Sequence, residues 1–305
     1  SLWGLYVNVE AINDKFTNKH FSTVNSPLFK CNPSGLNLQP SGENSNLSNT
    51  HGNDSSFYYD YYDLKSANGW NELYTLIDNL NNSSNNIDNV LNVDRALWMH
   101  AFNYTLINFD SYVGYSQNYY LYKSLSNQFQ PILWDLNMSF GGFRLTDATQ
   151  AYFNGFDISQ AQSMDPLGFL TNSFLSPRPL ITNLLDDSRR QRMYLAHMRT
   201  IVEEHFSNQN YISRAQYLQT LIANDVQNDP NKFYTYNDFL DNLNSQVTIP
   251  SSICPGLSQL MDARTTYLSN YWSGFVQPGI SNIQTLPNSN QFFGGDLTIT
   301  AQIQD

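Results

Sequence analysis

Residues 91–143 read LNVDRALWMHAFNYTLINFDSYVGYSQNYYLYKSLSNQFQPILWDLNMSFGGF, and the hydrophobic period changes half-way along. From 94 to 107, apolar positions fall at Ala96, Leu97, Ala101, Tyr104 and Leu106, with Trp98 and Phe102 four apart. That spacing predicts a buried helix with Asp94 as its N-cap. Residues 119–122 and 130–133 are short aromatic and β-branched runs bounded by polar turns, the pattern of a hairpin. A carboxylate stands at each joint: Asp110 after the helix and Asp135 after the second strand.

A helix, an Asp, an Asn a few residues on, a hairpin, and an Asp before a glycine turn form the layout of a phosphotransfer site. In such sites the first Asp orients the attacking hydroxyl, while the Asn and second Asp hold the metal that neutralises the phosphates. Those roles fall here to Asp110, Asn118 and Asp135. Their span, 135 − 110 = 25 residues, accommodates a loop and a returning hairpin. Asn137 is a further candidate ligand, although an Asn there equally stabilises the turn into Phe140-Gly141-Gly142. Oxygen donors of this kind suit Mg2+, Mn2+ or Ca2+ rather than zinc. Spacing alone leaves two alternatives open. The two Asp residues can be turn and cap residues of an ordinary hairpin. They can also be the acid and base of a glycosidase, provided their carboxyl groups lie within roughly 10 Å.

The wording of the segment is more specific than its spacing. LNVDRALWMHAF, NFDSY, QNYYLY and PILWDLNMSFGGF resemble the spore coat protein H (CotH) family of atypical, secreted kinases. GLYVNVEAINDKF with SPLFK, then DLKSANGWNELYTLIDNL, and the run 179–264 extend the resemblance over most of 2–268. It implies a kinase-like fold, use of ATP with a divalent cation, and transfer of phosphate to hydroxyls of extracellular or coat proteins. Within it, Val9-Glu10-Ala11 followed by a short helix at 13–21 resembles the hinge between two lobes, which makes Glu10 a nucleotide-binding candidate. The small lobe, with its phosphate-gripping Lys and Glu, would then precede Ser1. Lys30 follows the hinge and reads as a strand-end residue. Phe109 stands where ordinary kinases have Arg before the catalytic Asp, and Asp-Leu-Asn stands in place of Asp-Phe-Gly, departures that match the atypical family.

The expected fold class is therefore α+β and protein-kinase-like: mostly the helical large lobe, with a small hairpin at the active site. The 305 residues carry 41% hydrophobic and 14% aromatic residues, ample for a core. A net charge of −11 argues against nucleic acid or an anionic membrane surface as partner, since both repel it. Only 13% of residues are charged, a make-up that suits a secreted or cell-surface protein. No apolar run approaches the ~20 residues that span a bilayer. Sequons at Asn46, Asn53, Asn81, Asn82, Asn103 and Asn137 matter only in a eukaryotic secretory host. Cys31 and Cys254 share no metal-site spacing, and a disulfide between them stays open.

Outside the central stretch, 5–12 reads as a strand, 32–54 as an irregular loop and the tyrosine run 57–62 as a strand edge or stacking platform. Helices are expected at 70–80, 180–185, 189–206, 212–225, 236–243 and 257–271, with Asp186-Asp187-Ser188 capping the third of these. Residues 144–165 lack periodicity and fall where a kinase substrate would lie. Arg189, Arg190 and Arg192 read as a solvated helix face, and Arg264 as a partner for a buried carboxylate. The domain expectation is a CotH-like kinase domain at 1–275, a linker at 276–292, and the first strand of an Ig-like module at 293–305, with further domains at both ends. The alternative to an enzyme is a non-catalytic kinase-like module serving adhesion or assembly at a surface.

Overall fold

The computed structural model describes residues 4–23, 25–37, 39, 41–143, 147–249, 252–275, 279–286 and 298–304. In chain order the elements are α1 (Asp14–Phe21), β1 (Leu28–Cys31), β2 (Asp63–Leu64), α2 (Trp70–Asn82), α3 (Val93–Thr105), β3 (Tyr119–Lys123) and β4 (Phe129–Leu133). They continue with α4 (Ile158–Gln162), α5 (Pro179–Thr182), α6 (Ser188–Ile201), α7 (Asn210–Asn228), α8 (Tyr236–Asp241), β5 (Val247–Ile249), β6 (Ser252–Cys254), α9 (Leu257–Ser273), β7 (Gly279–Leu286) and β8 (Thr298–Gln304). Mixed helices and small sheets make this an α+β protein.

The expected β3–β4 hairpin is the centre of a larger, antiparallel sheet of order β2-β1-β3-β4. Alternation along each strand splits it into two faces. Phe29, Cys31, Tyr119, Leu121 and Phe129 join the main core, whereas Leu28, Tyr120, Tyr122 and Ile132 form a satellite cluster under Ile12, Phe16, Phe21 and Trp134. Residues 5–12 form no strand. They run irregularly and exposed until Ile12 reaches the satellite cluster, because no neighbouring strand pairs their backbone. Gly69 precedes α2 at φ 153°, where an added Cβ would meet Pro27 Cβ at 2.9 Å, so no other residue fits.

Helix α3 is buried around nearly its whole circumference, with Ala96, Leu97, Met99, His100, Ala101 and Tyr104 all inside. Its cap is Asn92, not Asp94: the Asn92 Oδ1 accepts from Arg95 N at 3.0 Å. Asp94 instead meets His197 at 2.8 Å, and that imidazole lies 4.0 Å from the Trp98 ring in a stacked geometry. The tertiary neighbour outcompetes the cap role. Helix α6 ends in a π-turn at Val202–Phe206, splitting the single helix expected over 189–206.

The loop 32–54 is irregular as expected, yet 44–48 is buried. Tyrosine hydroxyls satisfy its backbone inside the core: Tyr119 Oη donates to Ser45 O at 2.6 Å and Tyr112 Oη to Asn46 O at 2.7 Å. Tyr62 Oη accepts from Leu47 N at 2.8 Å. The tyrosine run thus forms no strand; Tyr58 and Tyr62 turn inward while Tyr59 stays exposed. A ring supplies apolar area and its hydroxyl a partner for a buried amide or carbonyl, which lets an irregular segment cross a core. Burial of Asn46 and Asn103 removes both as glycosylation acceptors in the folded protein.

Arg264, fully buried on α9, finds four carbonyls and no carboxylate. It donates to Tyr104 O (2.8 Å) and Thr105 O (3.1 Å) at the end of α3, and to Ala161 O and Met164 O (both 3.1 Å) beside α4. Both thiols, Cys31 and Cys254, are free. The 276–292 stretch, expected as a linker, contains β7, which pairs with β8 in a separate two-stranded sheet. The rest of that stretch lies outside the described residues, as does the onset of the expected strand at 293–297.

His100 Nε2 meets Leu180 O at 2.8 Å, so this nitrogen carries the proton, and burial lowers its pKa to about 4. The folded chain therefore stays neutral here while the unfolded chain protonates near pH 6.5. The unfolded state then binds more protons between pH 6.5 and 4, and stability falls as pH drops through that window by about 3 kcal/mol. His100→Gln keeps a donor for Leu180 but cannot titrate. Its denaturation curves at pH 7, 5.5 and 4 should lose this slope relative to the parent; an identical slope would contradict the assignment.

Candidate active site

The chain after α3 folds into a tight loop, 106–118, that leads into β3. Asp110 is half-buried within it, and Gln117 Nε2 donates to its Oδ1. Asn118 Nδ2 donates to the backbone O of Asp110 at 2.9 Å. The loop is braced from the buried 44–48 segment by Ser45 N donating to Ser116 O at 2.9 Å. At the far end of the hairpin, Asp135 begins a turn that returns to the same place: Phe140 N donates to Leu106 O at 2.7 Å and Gly141 N to Ile107 O at 3.1 Å.

Backbone strain concentrates here. Ile107 (φ 50°), Ser116 (φ 53°), Asn118 (φ 59°), Asp135 (φ 56°) and Phe140 (φ 62°) all adopt the left-handed region. For a β-branched residue such as Ile107 this is a true outlier. Strain of order 1–3 kcal/mol per residue persists only where surrounding contacts over-determine it, and it gathers at functional sites.

Burial raises the Asp110 carboxyl above the usual carboxylate range; the Gln117 hydrogen bond opposes this, the nearby charge of Asp135 adds to it and Asn118 opposes it. The structure therefore brings Asp110, Asn118 and Asp135 together at one end of the sheet. Asp135 is exposed, as is Asn137 in the following turn. Because the Asn118 amide nitrogen is committed to Asp110 O, its Oδ1 is left as an oxygen donor. No cluster of three His, Cys, Asp or Glu fit to hold a metal occurs among the described residues. A carboxylate and an amide oxygen, the first of them exposed, nevertheless suit the chemistry of magnesium, which keeps several waters and binds through one or two carboxylates plus phosphate.

Glu10 lies apart from these residues in sequence and is exposed, its carboxylate bound to Lys19 at 2.9 Å and His20 at 3.2 Å. Ion pairing with α1 occupies the side chain. Lys30 faces Asp63 and Tyr120 across the sheet. Sequence reasoning missed Gln117, legible only as the amide directly before Asn118. It also missed Trp134, the residue before Asp135, whose half-buried ring packs edge-on to Tyr120 at 5.4 Å.

No helix among the described residues is long and apolar enough to cross a membrane. No curated protein matches the chain. The family model described as CotH kinase protein matches residues 1–268. With that match covering most of the chain, and with the loop and hairpin arranged as above, the protein belongs to the CotH kinase family.

Proposed function

We propose that this protein is a metal-dependent kinase that transfers the terminal phosphate of ATP to hydroxyl side chains of secreted or cell-surface proteins. The observation that carries this reading is the half-buried Asp110 carboxylate, aimed by Gln117, sharing one sheet end with Asp135 and Asn118. Asp110 Oδ1 is occupied by the Gln117 amide, so Oδ2 is the oxygen that receives the acceptor hydroxyl. It orients that hydroxyl in line with the terminal phosphorus and takes its proton as the new O–P bond forms and the bond to the leaving diphosphate oxygen breaks. A raised pKa suits a group that must pick up a proton and pass it to solvent. A divalent cation held by Asp135 and Asn118, with Asn137 as a further ligand, would neutralise the phosphate charge. The half-buried Trp134, packed on Tyr120 next to Asp135, is the aromatic ring proposed to meet the nucleotide base.

The test is transfer of radiolabelled phosphate from ATP to the protein itself and to a Ser/Thr/Tyr peptide array. Chelation by EDTA should abolish transfer, and added Mg2+ or Mn2+ should restore it. Failure to bind ATP with any of these cations would end the kinase reading.

The exposed β7–β8 hairpin, with Ile280, Ile299 and Ile303 all more than 60% exposed, favours the second reading, a module for surface assembly. ATP binding without transfer, together with self-association lost on removing 279–305, would favour that reading over catalysis.

A further inference from the structure

Arg178 is 1% exposed and, among the described residues, forms no ion pair with a carboxylate. Its guanidinium is instead spent on backbone oxygens of two segments. Toward the loop carrying Asp110, NH2 donates to Gly114 O at 2.9 Å and Nε to Val113 O at 3.4 Å. Toward its own segment, NH1 donates to Pro177 O at 3.1 Å, to Ser176 O at 3.4 Å and to Ser176 Oγ. Ser176 Oγ in turn donates to Gly42 O at 3.0 Å, and the Phe174 ring lies 5.8 Å from the guanidinium carbon.

A charged group held wholly inside a protein without a counter-ion is costly, and it persists where its hydrogen bonds are numerous and well aimed. Here the donors span two segments that no shared secondary structure joins. The segment 173–178 is tied to residues 148–150 by Gln150 N donating to Ser173 O at 2.9 Å and Leu175 N to Ala148 O at 3.1 Å. One side chain therefore links the loop bearing the proposed base to the 173–178 segment. Lysine replaces it only in part, because an ammonium lacks the planar fork that reaches both segments.

We propose that Arg178 is a positioning residue that fixes the 110–118 loop against the 173–178 segment, so that the Asp110 carboxylate is held in place for catalysis; this rests on the kinase reading. The three segments 42–46, 110–118 and 173–178 meet at Arg178 and Ser176, and the geometry of the base is set from beneath the site rather than within it.

The experiment uses the full chain with Arg178→Met and Arg178→Lys, and reads two quantities. The first is kcat and KM for ATP per folded molecule: kcat falls roughly 100-fold in Arg178→Met, the scale of a misplaced catalytic group, while KM for ATP stays within about three-fold. Arg178→Lys lies between Met and the parent, and it decides the matter alone if Met does not fold. The second is hydrogen exchange by mass spectrometry: peptides covering 110–118 exchange roughly ten-fold faster, while those of α6 and α9 are unchanged. A uniform rise across all helices, or an unchanged kcat with unchanged loop exchange, overturns the proposal. Absence of transfer by the parent protein removes the kinase reading instead, and loop exchange then judges the anchoring by itself.

Discussion

Asp110→Asn lowers kcat by two to four orders of magnitude, the range associated with a positioned acid–base group, and leaves ATP affinity within a few-fold. The amide still fits the loop and can still be held by Gln117, but it offers no oxygen able to take up a proton. Asp135→Ala fails differently. It removes the exposed carboxylate proposed for the cation, so ATP binding in the presence of Mg2+ should weaken together with turnover, and excess Mg2+ should recover part of the loss. Measuring ATP affinity calorimetrically with and without Mg2+ separates the two. If Asp110→Asn weakens nucleotide binding as strongly as Asp135→Ala, or if neither changes turnover, the assigned division of roles is wrong.

Arg264→Met should be strongly destabilising. The side chain caps the carbonyl end of α3 at Tyr104 and Thr105 and simultaneously holds Ala161 and Met164. Burial lowers its pKa to about 10, which leaves it charged at neutral pH. Methionine relieves the desolvation of that charge, but it strands four buried carbonyls at about 1–3 kcal/mol each. The net loss should be roughly 3–5 kcal/mol, a large share of a typical domain stability. At about 2–4 °C per kcal/mol for a chain of this size or somewhat smaller, Tm falls by roughly 10 °C. A fall of less than about 2 °C would mean that the four carbonyls find new partners. Because α3 delivers the chain to Asp110, any folded Arg264→Met protein should also lose turnover.

Where hydrophobic periodicity was strong, the sequence reading and the structure agree closely. The 94–107 pattern became α3 and the two aromatic runs became β3 and β4, each shifted by no more than two residues. Such periods report which face meets the core, and burial enforces them. Agreement weakened where local chemistry had a competitor. Asp94 looked like a cap and went to His197, and 5–12 looked like a strand and found no pairing partner. The polar 32–54 stretch read only as an irregular loop, and the burial of 44–48 went unread, because nothing in Asn, Ser and Gly announces that tyrosines elsewhere will satisfy its backbone.

The sequence by itself determined the helix–hairpin frame, the family of the chain and the pair of carboxylates at the joints of that frame. Tertiary structure decided how those carboxylates are aimed: Gln117 on Asp110, the return of the Asp135 turn to Leu106 and Ile107, and the buried arginines that meet carbonyls instead of acids. The physical reason is range. Periodicity, turn residues and motif wording act within a few positions along the chain. A hydrogen bond between residues separated by tens of positions, or a buried charge settled by several backbone oxygens, exists only once the packed core has fixed which groups water can no longer reach.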